Sequence, residues 1–128
     1  MPIPDVTLSG LQIAVMRVLW ERGEASTADV ASELARTRAI KHTTVGTLLT
    51  RLARRDLVAQ RREGRQLLYR ARVGEEAVRR SMVADLVGAL FDGDARQLVA
   101  HLVDQSEIAP GDAARARRRL ARETRHGD

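Results

Sequence analysis

Hydroxyl-bearing and basic residues are concentrated in the middle of the chain. Four threonines lie within eight residues, between Thr43 and Thr50, and the stretch from residue 36 to 72 carries eleven basic residues but only two acidic ones. Threonine hydroxyls and arginine guanidinium groups can bind the base edges and phosphates of nucleic acids. A basic stretch by itself is more commonly a solvated surface. The candidate DNA-binding residues are Lys41, His42, Thr43, Thr44, Gly46, Thr47, Thr50, Arg51, Arg54, Arg62 and Arg65.

Residues suited to catalysis or metal binding are scarce. The chain has no cysteine, which excludes disulfides, thiolate metal sites and cysteine nucleophiles. Its three histidines, His42, His101 and His126, are too far apart in sequence to form a recognisable metal-binding motif. No glycine-rich phosphate loop or G-x-S-x-G motif occurs. We therefore expect a protein that is not an enzyme and that needs no metal and no cofactor.

The threonines are expected to lie on one face of a helix. Val45, Leu48, Leu49 and Leu52 follow the spacing i, i+3, i+4, i+7, which predicts a helix that begins near His42 or Thr43 and packs this apolar face into a core. Two helices are predicted before it. The first runs from about residue 9 to 22, and the second begins after a cap at Ser26 or Thr27 and reaches about residue 36.

The pattern changes after this third helix. Residues 57–62 and 66–71 read as two short strands around a glycine-bearing turn, Glu63-Gly64-Arg65. Three helices followed by a hairpin predict a winged helix-turn-helix, a mainly α fold with a small β-hairpin. In that arrangement the third helix enters the major groove, while the hairpin, or wing, lies along the phosphate backbone. The chain has only three large aromatic residues, too few for base-stacking platforms, so double-stranded DNA is the favoured partner.

The remaining residues predict a second, helical domain. We expect a DNA-binding domain at residues 1–73 and a dimerisation domain at 74–128, with helices that end near Phe91, begin after Asp94 and extend from Pro110 to about Glu123. So small a domain cannot easily bury its long apolar stripes alone, so a homodimer is expected. The candidate dimer contacts are Val78, Met82, Leu86, Leu90, Phe91, Leu98, Val99, Leu102 and Val103.

Several segments in this order resemble one family of bacterial proteins. The segments are residues 8–20, the threonine helix at 43–52, its exit at 56–58, the second strand at 65–70, and residues 90–93 followed by 98–103. Together they resemble the penicillinase-repressor family of transcriptional regulators, which includes the β-lactamase, methicillin-resistance and copper-operon repressors. The resemblance covers nearly the whole chain.

This resemblance implies a homodimer that binds an inverted-repeat operator and blocks transcription of antibiotic-resistance or stress genes. It assigns DNA contacts to Thr43, Thr44, Gly46 and Thr47, and Gly46 stands where relatives carry arginine or another long side chain. It also implies inactivation by proteolysis, triggered by a membrane sensor protease. The cleaved pair aligns with His101-Leu102, where the family has asparagine and phenylalanine.

The sequence is also compatible with two other functions. A winged helix can act as a protein-interaction module, in which case the basic face would bind an acidic partner. The protein could also be a small-molecule-sensing regulator with a pocket between the two domains. The start of the chain lacks the pattern of a signal peptide, and no apolar run is long enough to cross a bilayer, so we expect a cytoplasmic protein without membrane insertion.

Overall fold

The computed structural model describes residues 6–105 and residues 111, 115 and 118. Helices and short strands make up most of this part of the chain. The predicted last helix lies largely outside the described residues, although those three positions are helical. His126 also lies outside them. The elements are α1 (Gly10–Arg22), β1 (Ala25–Ser26), α2 (Thr27–Ala35), α3 (His42–Arg54), β2 (Val58–Glu63), β3 (Gln66–Ala71), α4 (Glu75–Leu90) and α5 (Ala95–Asp104).

Reciprocal side-chain hydrogen bonds begin the first two helices. At α1 the Ser9 hydroxyl accepts from the Gln12 backbone N–H at 3.2 Å, and the Gln12 side chain accepts from the Ser9 backbone N–H at 2.9 Å. Ser26 and Asp29 repeat this arrangement at α2, so Ser26 rather than Thr27 is the cap. The Ser26 backbone N–H holds the pKa of Asp29 below its ordinary value. These caps fix where the helix-turn-helix segment begins.

The strands form an antiparallel sheet in the order β1-β3-β2. The hairpin pairs Val58 with Ala71 at its base and Glu63 with Gln66 at its tip, and Gly64 turns between them with a φ of +63°. Strand β1 was not predicted from the sequence. It pairs Ala25 with Tyr69 and so attaches the hairpin to the segment between α1 and α2.

One apolar core holds α3 in place. Its most deeply buried side chains come from all three helices of the helix-turn-helix segment, and Val58 and Tyr69 add to it from the sheet. Because the core takes up one face of α3, the opposite face is left on the surface. The large side chains that are essentially inaccessible are Val15, Met16, Leu19, Val30, Val45, Leu49 and Leu52.

The chain divides into two compact units, residues 1–82 and residues 83–128. In the first unit, the buried Ser81 hydroxyl accepts a hydrogen bond from the Val6 backbone N–H at 2.9 Å. Val78, a predicted dimer contact, is only 3% exposed and belongs to the core of this unit, and Met82 packs against the same core. The expected domain boundary between residues 73 and 74 stays a prediction.

The second unit leaves apolar side chains only partly covered. Leu86 and Leu90 of α4 are 42% and 69% exposed. No residue of α5 is fully buried, and its four apolar stripe residues, Leu98, Val99, Leu102 and Val103, are half-buried. Phe91 is half-buried and its ring centroid lies 5.9 Å from that of the exposed His101. Among the described residues, no helix is long and apolar enough to span a bilayer.

Candidate nucleic-acid interface

The outward face of α3 carries the threonines and arginines singled out from the sequence. Thr43, Thr47, Thr50, Arg51 and Arg54 are exposed. Thr44 and Gly46 are half-buried at the edge of this face. The apolar residues at 45, 48, 49 and 52 all point into the core, as the helical spacing predicted. The threonine-arginine face is therefore accessible to a macromolecular partner.

The beginning of α3 also lies open. Lys41 is the N-cap residue, and its side chain makes no capping hydrogen bond. The first backbone N–H groups of a helix have no partner within the helix and carry a partial positive charge. Lys41 and His42 are both exposed beside them. This end of α3 is thus suited to an anionic group such as a phosphate.

Two of the threonine hydroxyls donate to their own helix. Thr47 Oγ1 donates to the Thr43 carbonyl at 3.1 Å, and Thr50 Oγ1 donates to the Gly46 carbonyl at 2.9 Å. Because each hydroxyl has a single proton, it cannot donate to a phosphate in this rotamer. Its lone pairs and its methyl group remain available. These threonines are therefore suited to accept from a base amino group or to contact a thymine methyl.

Most of the candidate residues line two open grooves. The first, of about 500 Å³, is lined by Thr43, Gly46, Thr47, Thr50, Arg51, Arg54 and Tyr69. The second, of about 340 Å³, joins the beginnings of α2 and α3 to the tip of the hairpin and is lined by Ser26, Thr27, Ala28, His42, Arg62, Arg65, Gln66 and Leu67. Lys41 and Thr44 line neither groove.

The arginines of the hairpin fall into two classes. Arg61 donates from Nε and Nη2 to the two carboxylate oxygens of Glu24, at 2.8 and 2.7 Å, and also to Glu63 at 2.9 Å. Arg62 and Arg65 are exposed and make no ion pair with any described residue. Arg70 on β3 is exposed as well and acts on Glu24 only through its charge, so the unpaired arginines that border the second groove are Arg62 and Arg65.

The contact between Glu24 and Arg61 was not predicted from the sequence. This residue lies 37 positions before Arg61 and precedes the unpredicted strand β1. The hydrogen bond from Arg61 lowers the pKa of Glu24 below its ordinary value, and the same pair raises the pKa of Arg61. A local pattern gives no signal for such a contact. Only the pairing of β1 with β3 indicates it.

The space around Gly46 leads to a stability prediction. A Cβ at this position would meet only Thr27 Cγ2, at 3.8 Å, which is ordinary van der Waals contact. Replacing a helical glycine with alanine reduces the freedom of the unfolded chain, so Gly46→Ala should raise the free energy of unfolding by about 0.5–1 kcal/mol. Urea denaturation measures this change.

The matched control is Gly23→Ala. Gly23 has a φ of +82° at the end of α1, so alanine there should lower stability although the site is equally open. A loss of stability in Gly46→Ala would show that α3 is packed more tightly than the structure indicates.

Within the described residues, no cluster of three histidine, aspartate, glutamate or cysteine side chains could hold a metal ion. The two grooves and the beginning of α3 present hydroxyl groups, guanidinium groups and helix N–H groups. This chemistry is that of a surface that binds an anionic polymer.

Comparison with known proteins identifies the family. The penicillinase repressor family model matches residues 8–122. The transcriptional regulator BlaI of Mycobacterium tuberculosis (strain CDC 1551 / Oshkosh) is 34% identical over 124 residues, which cover 94% of this chain and 88% of that protein.

Two solved structures support the fold. The solution structure of the DNA-binding domain of the repressor BlaI matches with a TM-score of 0.52 and 29% identity, over 59% of this chain and 90% of that one. The monomeric form of Bacillus licheniformis BlaI in complex with the blaP half-operator matches with a TM-score of 0.50 and 29% identity, over the same shares, 59% and 90%.

These matches confirm the predicted winged-helix, mainly α fold and the resemblance seen in the sequence. The family and the relatives are transcriptional repressors, not enzymes. This chain accordingly belongs to the penicillinase repressor family of transcriptional repressors and carries a winged-helix DNA-binding domain.

Proposed function

We propose that this protein binds an inverted-repeat operator in double-stranded DNA as a homodimer and thereby blocks transcription. The observation that carries the proposal is the exposed threonine-arginine face of α3, which lines an open groove. Unpaired arginines of the hairpin, Arg62 and Arg65, border a second groove at the beginning of the same helix. Bacillus licheniformis BlaI has been solved in complex with the blaP half-operator, which supports binding of operator DNA by this chain as well.

In this proposal α3 lies in the major groove. Thr43, Thr44, Gly46 and Thr47 in its first half contact base edges, because the beginning of a recognition helix is the part that reaches the bases. Gly46 leaves space at this surface. Arg51 and Arg54, nearer the end, are long enough to reach guanine or the backbone. Lys41 and His42 add contacts at the beginning of α3, and Thr50 adds one in its second half.

The wing supplies contacts to the phosphate backbone through Arg62 and Arg65. Arg65→Ala should weaken binding to all duplexes alike and reduce the slope of log affinity against log salt by about one unit, because one phosphate contact is lost. Fluorescence anisotropy at several salt concentrations measures both quantities.

The control for that measurement is Arg79→Ala, because Arg79 pairs with Glu75 and Glu76 on α4. This variant should leave the slope unchanged. Equal slopes for Arg65→Ala and the wild type would remove Arg65 from the backbone contacts.

The homodimer is proposed to form through the second unit. Support comes from the partly covered apolar side chains there, because exposed apolar patches of this kind mark protein interfaces. Val78 lies in the core of the first unit and Met82 packs against that core, so the contact is assigned to the other candidates. They are Leu86, Leu90, Phe91, Leu98, Val99, Leu102 and Val103.

Inactivation is proposed to occur by cleavage between His101 and Leu102, triggered by a membrane sensor protease. The pair lies within α5, where His101 is exposed and no residue is fully buried. Leu102 is also a proposed dimer contact, so cleavage requires a protomer that is free of its partner. In the free protomer a helix with so little burial opens locally at low free-energy cost and can supply the extended substrate that a protease needs. Mass spectrometry of the protein from antibiotic-treated cells should show a fragment that ends at His101, and an intact chain in derepressed cells would exclude this route.

The experiment for the whole proposal is selection of duplexes from a random pool, followed by anisotropy with the selected duplex and a scrambled one. We expect an inverted repeat whose half-sites lie about one helical turn, ~10 bp, or a multiple of it apart. The selected duplex should bind about a thousandfold or more tightly than the scrambled one. Equal affinity for both would overturn sequence-specific repression, whereas capture of only an acidic protein would favour an interaction module.

A further inference from the structure

One side-chain bridge links the outer strand of the sheet to the segment before β1, in addition to the core contact that Val58 makes at the base of this strand. Strand β2 forms backbone hydrogen bonds only with β3, because the strand order is β1-β3-β2. Arg61 of β2 reaches past β3 to Glu24, the residue before β1, and contacts both of its carboxylate oxygens. The bridge therefore joins the two edges of the sheet.

Strand register places this bridge on the face opposite to Tyr69. Ala25 and Gln60 both pair with Tyr69, so these three side chains share one face of the sheet. Their neighbours Glu24 and Arg61 therefore lie on the other face. Arg62, the next residue of β2, lies on the same face as Tyr69. Tyr69 lines the first groove beside α3 and Arg62 lines the second.

The charge on the Arg61 guanidinium is balanced by two carboxylates. In addition to Glu24, it contacts Glu63 at 2.9 Å. The bidentate contact with Glu24 fixes the orientation of the guanidinium plane, since two parallel hydrogen bonds allow little rotation. Nε and Nη2 are occupied by these carboxylates, so a phosphate that did not displace them would have only Nη1 to accept from. Arg61 is thus poorly suited to bind DNA, unlike Arg62 and Arg65.

We propose that Glu24 is a positioning residue for DNA binding, which acts through Arg61 to hold the hairpin at the angle that places Arg62 and Arg65 on the phosphate backbone. This inference rests on the proposed function. Its distinguishing consequence is that an acidic residue outside the DNA surface supports binding to an anionic polymer. Simple electrostatics predicts the opposite effect, because removal of a negative charge should favour association with DNA.

The test compares the wild type with Glu24→Gln, Arg61→Gln and the double variant. Binding to the selected duplex is measured by anisotropy over a range of salt concentrations. Each single variant should weaken binding about two- to fivefold, the range of a partly exposed ion pair, without a change of salt slope. The double variant should be no weaker than either single variant, because both single variants break the same bridge.

Two controls separate this effect from others. Glu75→Gln removes a carboxylate that likewise pairs with an arginine, Arg79 on α4, and it should not weaken binding. Circular dichroism should show that every variant keeps the wild-type helical content, because Arg61 is an exposed residue.

Other outcomes would overturn the inference. If Arg61 binds phosphate directly, Arg61→Gln will flatten the salt slope by about one unit and Glu24→Gln will tighten binding to every duplex. Losses that add in the double variant would also contradict it. A wild-type protein that binds selected and scrambled duplexes equally would instead refute the proposed function, and with it the role of Glu24.

Discussion

Leu98→Asp is expected to convert the homodimer into monomers. Leu98 lies in the apolar stripe of α5, and its side chain is only partly covered in the protomer. A carboxylate in the dimer contact would be buried without a partner, which should weaken association by about 3–5 kcal/mol. Sedimentation equilibrium should then find the mass of one protomer at micromolar concentration. Affinity for the full inverted repeat should fall by about a hundredfold or more, because two half-sites would have to bind independently.

Binding to a single half-site should be almost unchanged in this variant, since α3 and the wing lie in the other unit. Gln97→Asp is the matched control, because Gln97 is exposed on the same helix and should tolerate a charge. An intact Leu98→Asp dimer would remove α5 from the proposed contact. A monomer in both variants would indicate that α5 is sensitive to any added charge.

Thr47→Val is expected to change the base preference of the protein. Valine keeps the shape and a methyl group but removes the hydroxyl oxygen whose lone pairs are free, since the proton is donated to the Thr43 carbonyl. If this oxygen accepts a hydrogen bond from a base amino group, its loss should cost about 1–3 kcal/mol of discrimination. Affinity for scrambled duplex should stay the same, because the hydroxyl makes no phosphate contact. Fluorescence anisotropy with the scrambled duplex and with operator variants substituted at each position measures the affinity and the base discrimination.

Two companion measurements identify the group that Thr47 contacts. Thr47→Ser keeps the oxygen and removes the methyl, so it should spare a contact with an amino group and weaken one with thymine. Operator duplexes in which purine replaces adenine lack the amino group, and on these Thr47→Val should lose no further affinity. An unchanged operator preference in both variants would exclude Thr47 from base readout.

The sequence was sufficient to predict which face of α3 enters the core and which face is exposed. The apolar spacing of α3 determined which of its residues enter the core, and the structure places the threonines and arginines on the opposite face, as expected. Turn chemistry was equally informative, since Ser26 and Asp94 cap the helices that follow them and Gly64 turns the hairpin. These features depend on neighbours within a few residues. Local physical chemistry therefore determines them.

Contacts between distant segments could not be predicted. Strand β1 has only two residues, too few for any periodic pattern, and its partner Tyr69 lies far along the chain. The Glu24–Arg61 bridge depends on that pairing and was missed with it. The assignment of Val78 to the dimer contact met a related difficulty. A regular apolar spacing along α4 indicates that one face is buried but does not indicate what covers it. The structure buries Val78 in the first unit.

The central claim, that α3 and the wing bind duplex DNA, can be tested by nuclear magnetic resonance. The ¹⁵N-labelled protein would be titrated with the selected duplex and its backbone amide shifts followed. We expect the largest changes at Lys41 to Thr47 and at Arg62 to Arg65, and small changes in α5. Shifts confined to α4 and α5, with the amides of Thr43 to Thr47 unmoved, would contradict the account.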